Sequence, residues 1–425
     1  MLETTDAPPA VDAVQQRTIR TLLASQTLAS VGSSAGFAVS SLAATTLAPG
    51  AGSAGVAQGL SMVGTVIATS LLSRLTAARG RRPGLAAGYV AAGAGAALCG
   101  LALQAGWFAV FLAGSVLFGT ASAAGFQSRF AASDLAPPGQ AAKGISLVLW
   151  MSTIGAIIGP NTVAIGDAVE GATHVSGLVI AYLASATGFG FACAVVVGLL
   201  RPDPLLEARR RAAAGPPSTP APADTTASTS AAPRRSLRAG LAAVRASAPA
   251  RYALATSVIA HATMVGVMTW TPVHLAHASS HTVIGLVFSV HMLGMYAFSP
   301  LFGRASARWG GTRTITAGLL TLVASLLLGW GSAPSDHARV GLALLLLGLG
   351  WSQAFITASG VFSDHIAVED RPAAQGLLDA CIWTGSGVAM GVGGWVTGTW
   401  SYGTLCACAL VIVVPTTLWS LARVR

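Results

Sequence analysis

Long apolar runs alternate with short polar gaps along the whole chain, the runs lying near 21–44, 53–75, 84–104, 107–131, 144–167, 176–199, 251–273, 283–303, 313–332, 338–360, 373–397 and 402–422. Each has the roughly 20 residues that a helix needs to cross a hydrocarbon core of about 30 Å. Backbone polar groups inside lipid must be satisfied within the segment, so runs of this length predict helices. The expected fold is an all-α membrane protein of twelve transmembrane helices. The gaps add an orientation. All of the 24 Lys and Arg residues except Arg339 fall in every second gap or at the two ends. Positive loops stay on the cytoplasmic side, which predicts that both termini are cytoplasmic.

Composition narrows the class. Only 9% of the residues are charged and mean hydropathy is +0.68, whereas a soluble globule carries about 25% charged residues. The net charge of +10 does not point to nucleic acid, because the arginines sit at helix ends, where they set topology and meet anionic lipid. No nucleophile elbow, zinc-binding HExxH, Walker loop or dinucleotide fingerprint stands in a suitable context, so no enzymatic activity and no cofactor are expected. Cys99, Cys193, Cys381, Cys406 and Cys408 all lie inside apolar runs, without CxxC spacing, and disulfides are not expected. Residues 1–17 lack a positive n-region and contain Glu3, Asp6 and Asp12, so a cytoplasmic tail is expected there and not a cleaved signal.

Between the sixth and seventh runs, residues 201–250 hold the low-complexity tract AAAGPPSTPAPADTTASTSAAP flanked by arginine-rich stretches. The tract has too few large apolar side chains to offset the entropy of ordering. A largely disordered cytoplasmic linker is expected there, joining a six-helix bundle at 18–200 to a second at 251–425. An internal repeat supports the division. LLSRLTAARGRRP after the second run matches LFGRASARWGGTR after the eighth, pairing Ser73 with Gly303, Arg74 with Arg304 and Gly80 with Gly310.

At these residues the chain resembles the major facilitator superfamily, whose loop between the second and third helices reads G-x-x-x-D-R-x-G-R-R. The first copy keeps Gly80, Arg81 and Arg82 but has Ser73, Ala77 and Ala78 where glycine, aspartate and arginine would stand; the second keeps Gly303, Arg308 and Gly310. The resemblance implies secondary transport by alternating access between two bundles. It assigns gating or topological roles to Arg81, Arg82, Arg304 and Arg308. GFQSRFAASD at 125–134, ISLVLWMSTIGAIIGP at 145–160, LLGLGWSQAFITASG at 346–360 and AAQGLLDACIW at 373–383 resemble the branch that contains CcoA-like copper importers and riboflavin transporters. HATMVGVMTWTP at 261–272 and HMLGMYAFSPLFGRASARWG at 291–310 carry MxxxM and HxxxM. In that branch these are the proposed copper ligands, which implies Met264, Met268, His291 and Met295 here and import of copper as cargo.

Helical spacing gives these residues a physical reading. His261, Met264 and Met268 stand at i, i+3 and i+7 and share one stripe; His291 and Met295 stand at i and i+4. At about 1.5 Å per residue, counted inward from outer ends near 273 and 283, Met264 and His291 lie roughly 12–14 Å deep and His261 and Met295 roughly 18 Å, toward mid-membrane. Thioether with imidazole suits a soft monovalent ion. The bland alternative is packing, since methionine fills gaps and an intramembrane histidine bonds a neighbour. His274, His277 and His281 of the outer loop either deliver metal or are solvated loop residues.

Asp379 is the one acid well inside a run, with Gln375 a turn before it. An ionised carboxylate at that depth costs about 2.5–3.5 kcal/mol on insertion scales, so a pair, a proton or water is expected there, with proton coupling or a structural hydrogen bond as its role. Arg129 and Asp134 are expected to close the inner end of the fourth helix. Gln26, Gln127, Trp351 and Gln353 are candidate cavity residues, and a planar organic cargo, riboflavin-like or an exported drug or metabolite, is the alternative they favour. Gly155, Gly159 and Pro160 resemble part of an exporter motif, but Ser115 stands where antiporters carry arginine. The expected partners are a small substrate or metal ion and the bilayer of the plasma membrane, with the chain acting as a monomer.

Overall fold

The computed structural model describes residues 13–48, 51–173, 175–214, 237–276, 278 and 280–424. Among them the chain is all helix and irregular connection: α1 (Ala13–Leu47), α2 (Ala51–Arg79), α3 (Arg81–Ala105), α4 (Phe108–Phe118), α5 (Thr120–Ala131), α6 (Ala141–Thr173), α7 (Gly177–Leu199), α8 (Pro204–Ala213), α9 (Leu237–Ala246), α10 (Ala248–Ala276), α11 (His281–Tyr296), α12 (Ser299–Trp309), α13 (Gly311–Trp330), α14 (His337–Asp364), α15 (Arg371–Thr399) and α16 (Tyr402–Ala422). Among the described residues, eleven spans are long and apolar enough to cross a membrane. The expected eleventh span, 373–397, is present as the 29-residue α15 but is not among them. Arg371, Gln375, Asp379 and its many glycines lower its hydropathy.

Two apolar runs are each built as two helices. α4 and α5 part at Gly119, where an added Cβ would meet the Ser61 carbonyl oxygen at 2.0 Å, so the α2 backbone passes where any side chain would stand. The carbonyl of Gly119 is satisfied by the Thr65 hydroxyl at 2.8 Å, as a broken helix in lipid requires. α11 and α12 part just before Pro300, which occupies the first turn of α12.

Buried apolar side chains form two main clusters. One runs from Leu22 to Leu200; the other lies mostly between Val244 and Val413, with Phe130, Ala142, Ile145 and Leu149 reaching in from α5 and α6. Within the first half α1 packs on α6 and α7, and α3 on α7; within the second α13 packs on α14 and α16, and α10 on α14 and α15. The halves meet where α2 lies on α15 and α6 lies on α12 and α14. Small residues make this approach possible. A Cβ on Gly376 of α15 would meet Ser73 of α2 at 2.5 Å, and one on Gly303 of α12 would meet the Ser146 hydroxyl of α6 at 2.2 Å. Ser73 and Gly303 are the repeat partners of the sequence, and Ser146 and Gly376 are separated by the same 230 positions. The two contacts are therefore one contact repeated about a pseudo-twofold axis, with serine and glycine exchanged. Gly80 and Gly310, equally paired by the repeat, both open the following helix at positive φ, 96° and 88°.

The expected linker is partly folded. Residues 215–236 lie outside the described residues, but the flanks form α8 and α9. Asp203 caps α8, accepting from Leu205 N at 3.0 Å and Leu206 N at 3.2 Å, with Pro204 in the first turn and Arg210 and Arg211 in the last. The same carboxylate accepts from Arg82 N at 2.7 Å, and Arg209 donates to the Ala77 carbonyl at 3.1 Å. α8 thus brings a carboxylate to a loop whose own motif position is Ala77. α9 lies against the start of α15, Gly240 over the Ala373 backbone. Asp203→Ala should weaken this docking by about 0.5–2 kcal/mol, the usual cost of a lost cap. Faster tryptic cleavage at Arg209–Arg211 in the folded protein checks it; an unchanged rate would mean that α8 is held by other contacts.

Candidate functional site

Arg129 on α5 is fully buried, and its Nη2 donates to Asp379 Oδ1 of α15 at 2.6 Å. Its Nη1 donates to the Phe126 carbonyl at 2.8 Å, and its guanidinium carbon stands 4.5, 4.2 and 4.8 Å from the ring centres of Phe126, Phe130 and Phe355. A weakly hydrated planar cation tolerates such a setting better than an ammonium would. The ion pair joins the two halves of the molecule. A second layer does the same: Arg81 of α3 forks onto Asp134, Nε to Oδ2 at 2.7 Å and Nη2 to Oδ1 at 3.1 Å, and donates also to Gln375 Oε1 at 2.5 Å. Gln375 passes the contact on to Ser363 at 3.2 Å. The molecule is closed at its α2–α3 end by these two layers together with the serine–glycine contacts.

An aromatic cluster adjoins the Arg129–Asp379 pair. Phe126 of the first half packs against Trp383, His261 and Phe355 of the second, with ring centres 4.7, 5.4 and 5.4 Å away. Trp351 stacks on Phe355 at 4.9 Å and 18°, and Tyr296 meets Trp351 edge-on at 6.0 Å. Trp351 Nε1 donates to His261 Nδ1 at 2.8 Å. An indole N–H can only donate, so His261 is the neutral tautomer that carries its proton on Nε2. That Nε2 has no partner, and neither do Trp383 Nε1, Arg129 Nε or Asp379 Oδ2. Buried polar atoms left open at one place mark a site more than a structural joint.

The sulfur and imidazole residues are arranged differently from the expected cluster. Met264, Met295, His261 and His291 are all buried, and Met268 is half-buried. His291 Nδ1 engages the Leu344 carbonyl at 2.8 Å, whereas His261 engages Trp351, seven residues or about 10 Å further along α14. α10 and α11 each pack extensively on α14 and little on each other, so the two histidine stripes meet α14 at different levels. Among the described residues no group of three or more His, Cys, Asp or Glu is placed to hold a metal ion. His274 stacks on Tyr402 at 4.5 Å; His277 and the His281 side chain lie outside the described residues.

The amide candidates divide. Gln26 accepts from Ser128 at 2.8 Å and donates to Ser152 at 3.2 Å, and Gln127 accepts from Thr76 at 3.3 Å, so both are engaged within the first bundle. Gln353 is half-buried; Arg304 and Arg308 are exposed. Phe126, Phe355 and Trp383 join the site without having been candidates. Their signal is helical spacing: Phe355 stands one turn after Trp351, and Trp383 one turn after Asp379.

Residues 22–279 and 274–425 match the profile of the Major Facilitator Superfamily. The chain belongs to that superfamily. It is a membrane transporter and not an enzyme. A Bacillus subtilis relative, the uncharacterized MFS-type transporter YddS, is 27% identical over 425 residues, covering 99% of this chain and 94% of its own. The riboflavin transporter RfnT of Brucella anthropi is 26% identical over 350 residues, 79% of each chain. Among solved structures, the human organic anion transporter MFSD10 superposes with a TM-score of 0.73 at 16% identity, over 97% of this chain and 100% of that one. That likeness concerns the fold.

Proposed function

We propose that this transporter carries a small planar organic molecule by alternating access, binding it between Phe126 of the first bundle and Trp383, His261, Phe355 and Trp351 of the second. In this reading α15 completes twelve spans, both termini face the cytoplasm, and the protein works as a monomer in the plasma membrane. One observation carries the cargo class: the ring cluster lies on the seam between the bundles and has open hydrogen-bonding atoms at its edge. Planar ligands stack on such faces and are fixed by a few convergent polar groups. Similarity to a riboflavin transporter supports the same class. The Arg129–Asp379 and Arg81–Asp134–Gln375 layers close the cytoplasmic side, and Asp379 is the proton-coupling group.

Copper import is the second reading, and a specific feature favours it. His291 donates from Nδ1 to a backbone carbonyl, which leaves Nε2 as a lone pair in the arrangement that metal-bound histidines show, and Met295 follows one turn later. Titration of the purified protein with riboflavin, 1-naphthoate, cyclohexanecarboxylate and Cu(I), followed by calorimetry, separates the two. The planar reading expects saturable binding of a planar compound and none of the saturated ring, with Phe126→Ala and Trp383→Ala each weakening it at least about tenfold, or about 1.4 kcal/mol. Binding of Cu(I) alone, lost in His291→Ala, would replace it by the metal reading.

A further inference from the structure

Four buried polar atoms on side chains in or against the ring cluster have no partner, and three of them can only donate. Arg129 Nε and Trp383 Nε1 are donors by chemistry, and His261 Nε2 is one because Nδ1 already accepts from Trp351. The fourth, Asp379 Oδ2, is the spare oxygen of a carboxylate that touches Arg129 through Oδ1 alone. A guanidinium and a carboxylate can form two parallel bonds; this pair forms one and leaves one site open on each side. A donor-rich edge around a fixed cation is complementary to an anionic head group.

We infer that the cargo is a planar aromatic anion, a carboxylate in the simplest case, and that it binds together with one proton. The inference rests on the planar-cargo reading and names the head group that the reading leaves open. The empty site holds one positive and one negative charge. When the anion's carboxylate docks on Arg129, a proton from the medium adds to Asp379 Oδ2, the Arg129–Asp379 bond gives way, and the buried charge again sums to zero. Without that proton the site would hold two carboxylates against one guanidinium in a dry interior, which low dielectric penalises. Other titratable groups do not serve the purpose. Arg81 is already forked onto Asp134, and Gln375, on the same helix, is neutral. Arg74 and Arg79 of α2, Arg238 and Arg245 of α9, Arg251 of α10 and Arg423 beyond α16 are exposed. Among the described side chains packed against the rings that surround Arg129, His261 of α10 is the one competing proton acceptor. Because anion and proton enter as a neutral sum, they move in the same direction.

Calorimetry of the purified full chain tests this with 1-naphthoate and its uncharged counterpart of equal shape, 1-naphthamide, near pH 7 in two buffers of different ionisation heat. The expected result is naphthoate binding at least about tenfold tighter than naphthamide, with uptake of about one proton per anion bound. Asp379→Asn should bind naphthoate with no proton uptake, and naphthoate should raise its thermal midpoint more than that of wild type; His261→Gln, which removes one donor of the site, should bind more weakly but still take up about one proton per anion bound. If Asp379→Asn does not fold, the wild-type buffer comparison decides by itself. Equal binding of acid and amide overturns the anion and leaves the planar reading standing. Binding of neither compound removes both. Naphthoate that binds without proton uptake, in wild type or in His261→Gln, overturns the assignment of the proton to Asp379.

Discussion

Asp379→Leu should be the most damaging single substitution in the chain, Arg129→Leu the next, and the two combined should restore much of what either loses. The pair is buried on both sides, 0% and 1% exposed, and truncating one partner of such a pair leaves an uncompensated charge at a cost of about 3–5 kcal/mol. The two single variants are not equivalent. A carboxylate left alone can shed its charge by taking a proton, whereas a guanidinium does not deprotonate in proteins. Asp379→Leu strands the cation, with only ring faces and the Phe126 carbonyl around it, and should lie at the upper end of the range. The double leucine variant removes both charges and returns apolar volume, an exchange that is often neutral or stabilising. Unfolding midpoints of the detergent-solubilised proteins measure this. A double variant as unstable as the worse single one would show that the pair matters for shape and not for charge. Transport should fail in all three, since none keeps both the cation and the proton site.

The spans were legible in the sequence because insertion into lipid imposes a length and an apolar run that no other context requires. The repeat at Ser73 and Gly303 was legible for a related reason: each half must bring the same helix end to the seam, and the structure turns the repeat into the matched contacts Ser73–Gly376 and Gly303–Ser146. That Arg129, Asp134, Gln375 and Asp379 merit attention was also readable, since charged and amide groups inside a membrane are costly. Their partners were not. Arg129 and Asp379 are separated by 250 residues, and no local period connects them. The histidine and methionine stripes show the same limit. Spacing places His261 with Met264 and His291 with Met295, but consecutive helices need not face each other, and here α14, late in the chain, receives both. The aromatic cluster required a third fact, that Phe126 on α5 points across the seam.

Gly360→Val should keep the α2–α3 end from closing. Gly360 lies on the last turn and a half of α14, and an added Cβ would meet Ala142 at its Cβ, N and Cα, 2.7, 2.8 and 2.9 Å away. Two of these are backbone atoms at the start of α6, so no rotamer change relieves the clash, and the bundles must separate there. Overpacking of this kind costs about 1–3 kcal/mol. Because the contact exists only when the bundles are together, the cost falls on the closed state and not on the fold, which is about a 5- to 150-fold loss of closed population. Ser363, 1% exposed and bonded to Gln375, reports on that closure. In a background without the five native cysteines, Ser363→Cys should react slowly with a maleimide and at least about fivefold faster once Gly360→Val is added. Gly190→Val, on the exposed side of α7 with open space around its Cβ position, controls for placing valine in a helix and should leave the rate unchanged. Equal labelling with and without Gly360→Val would mean that α6 and α14 stay together throughout the cycle, and the seam would have to open elsewhere.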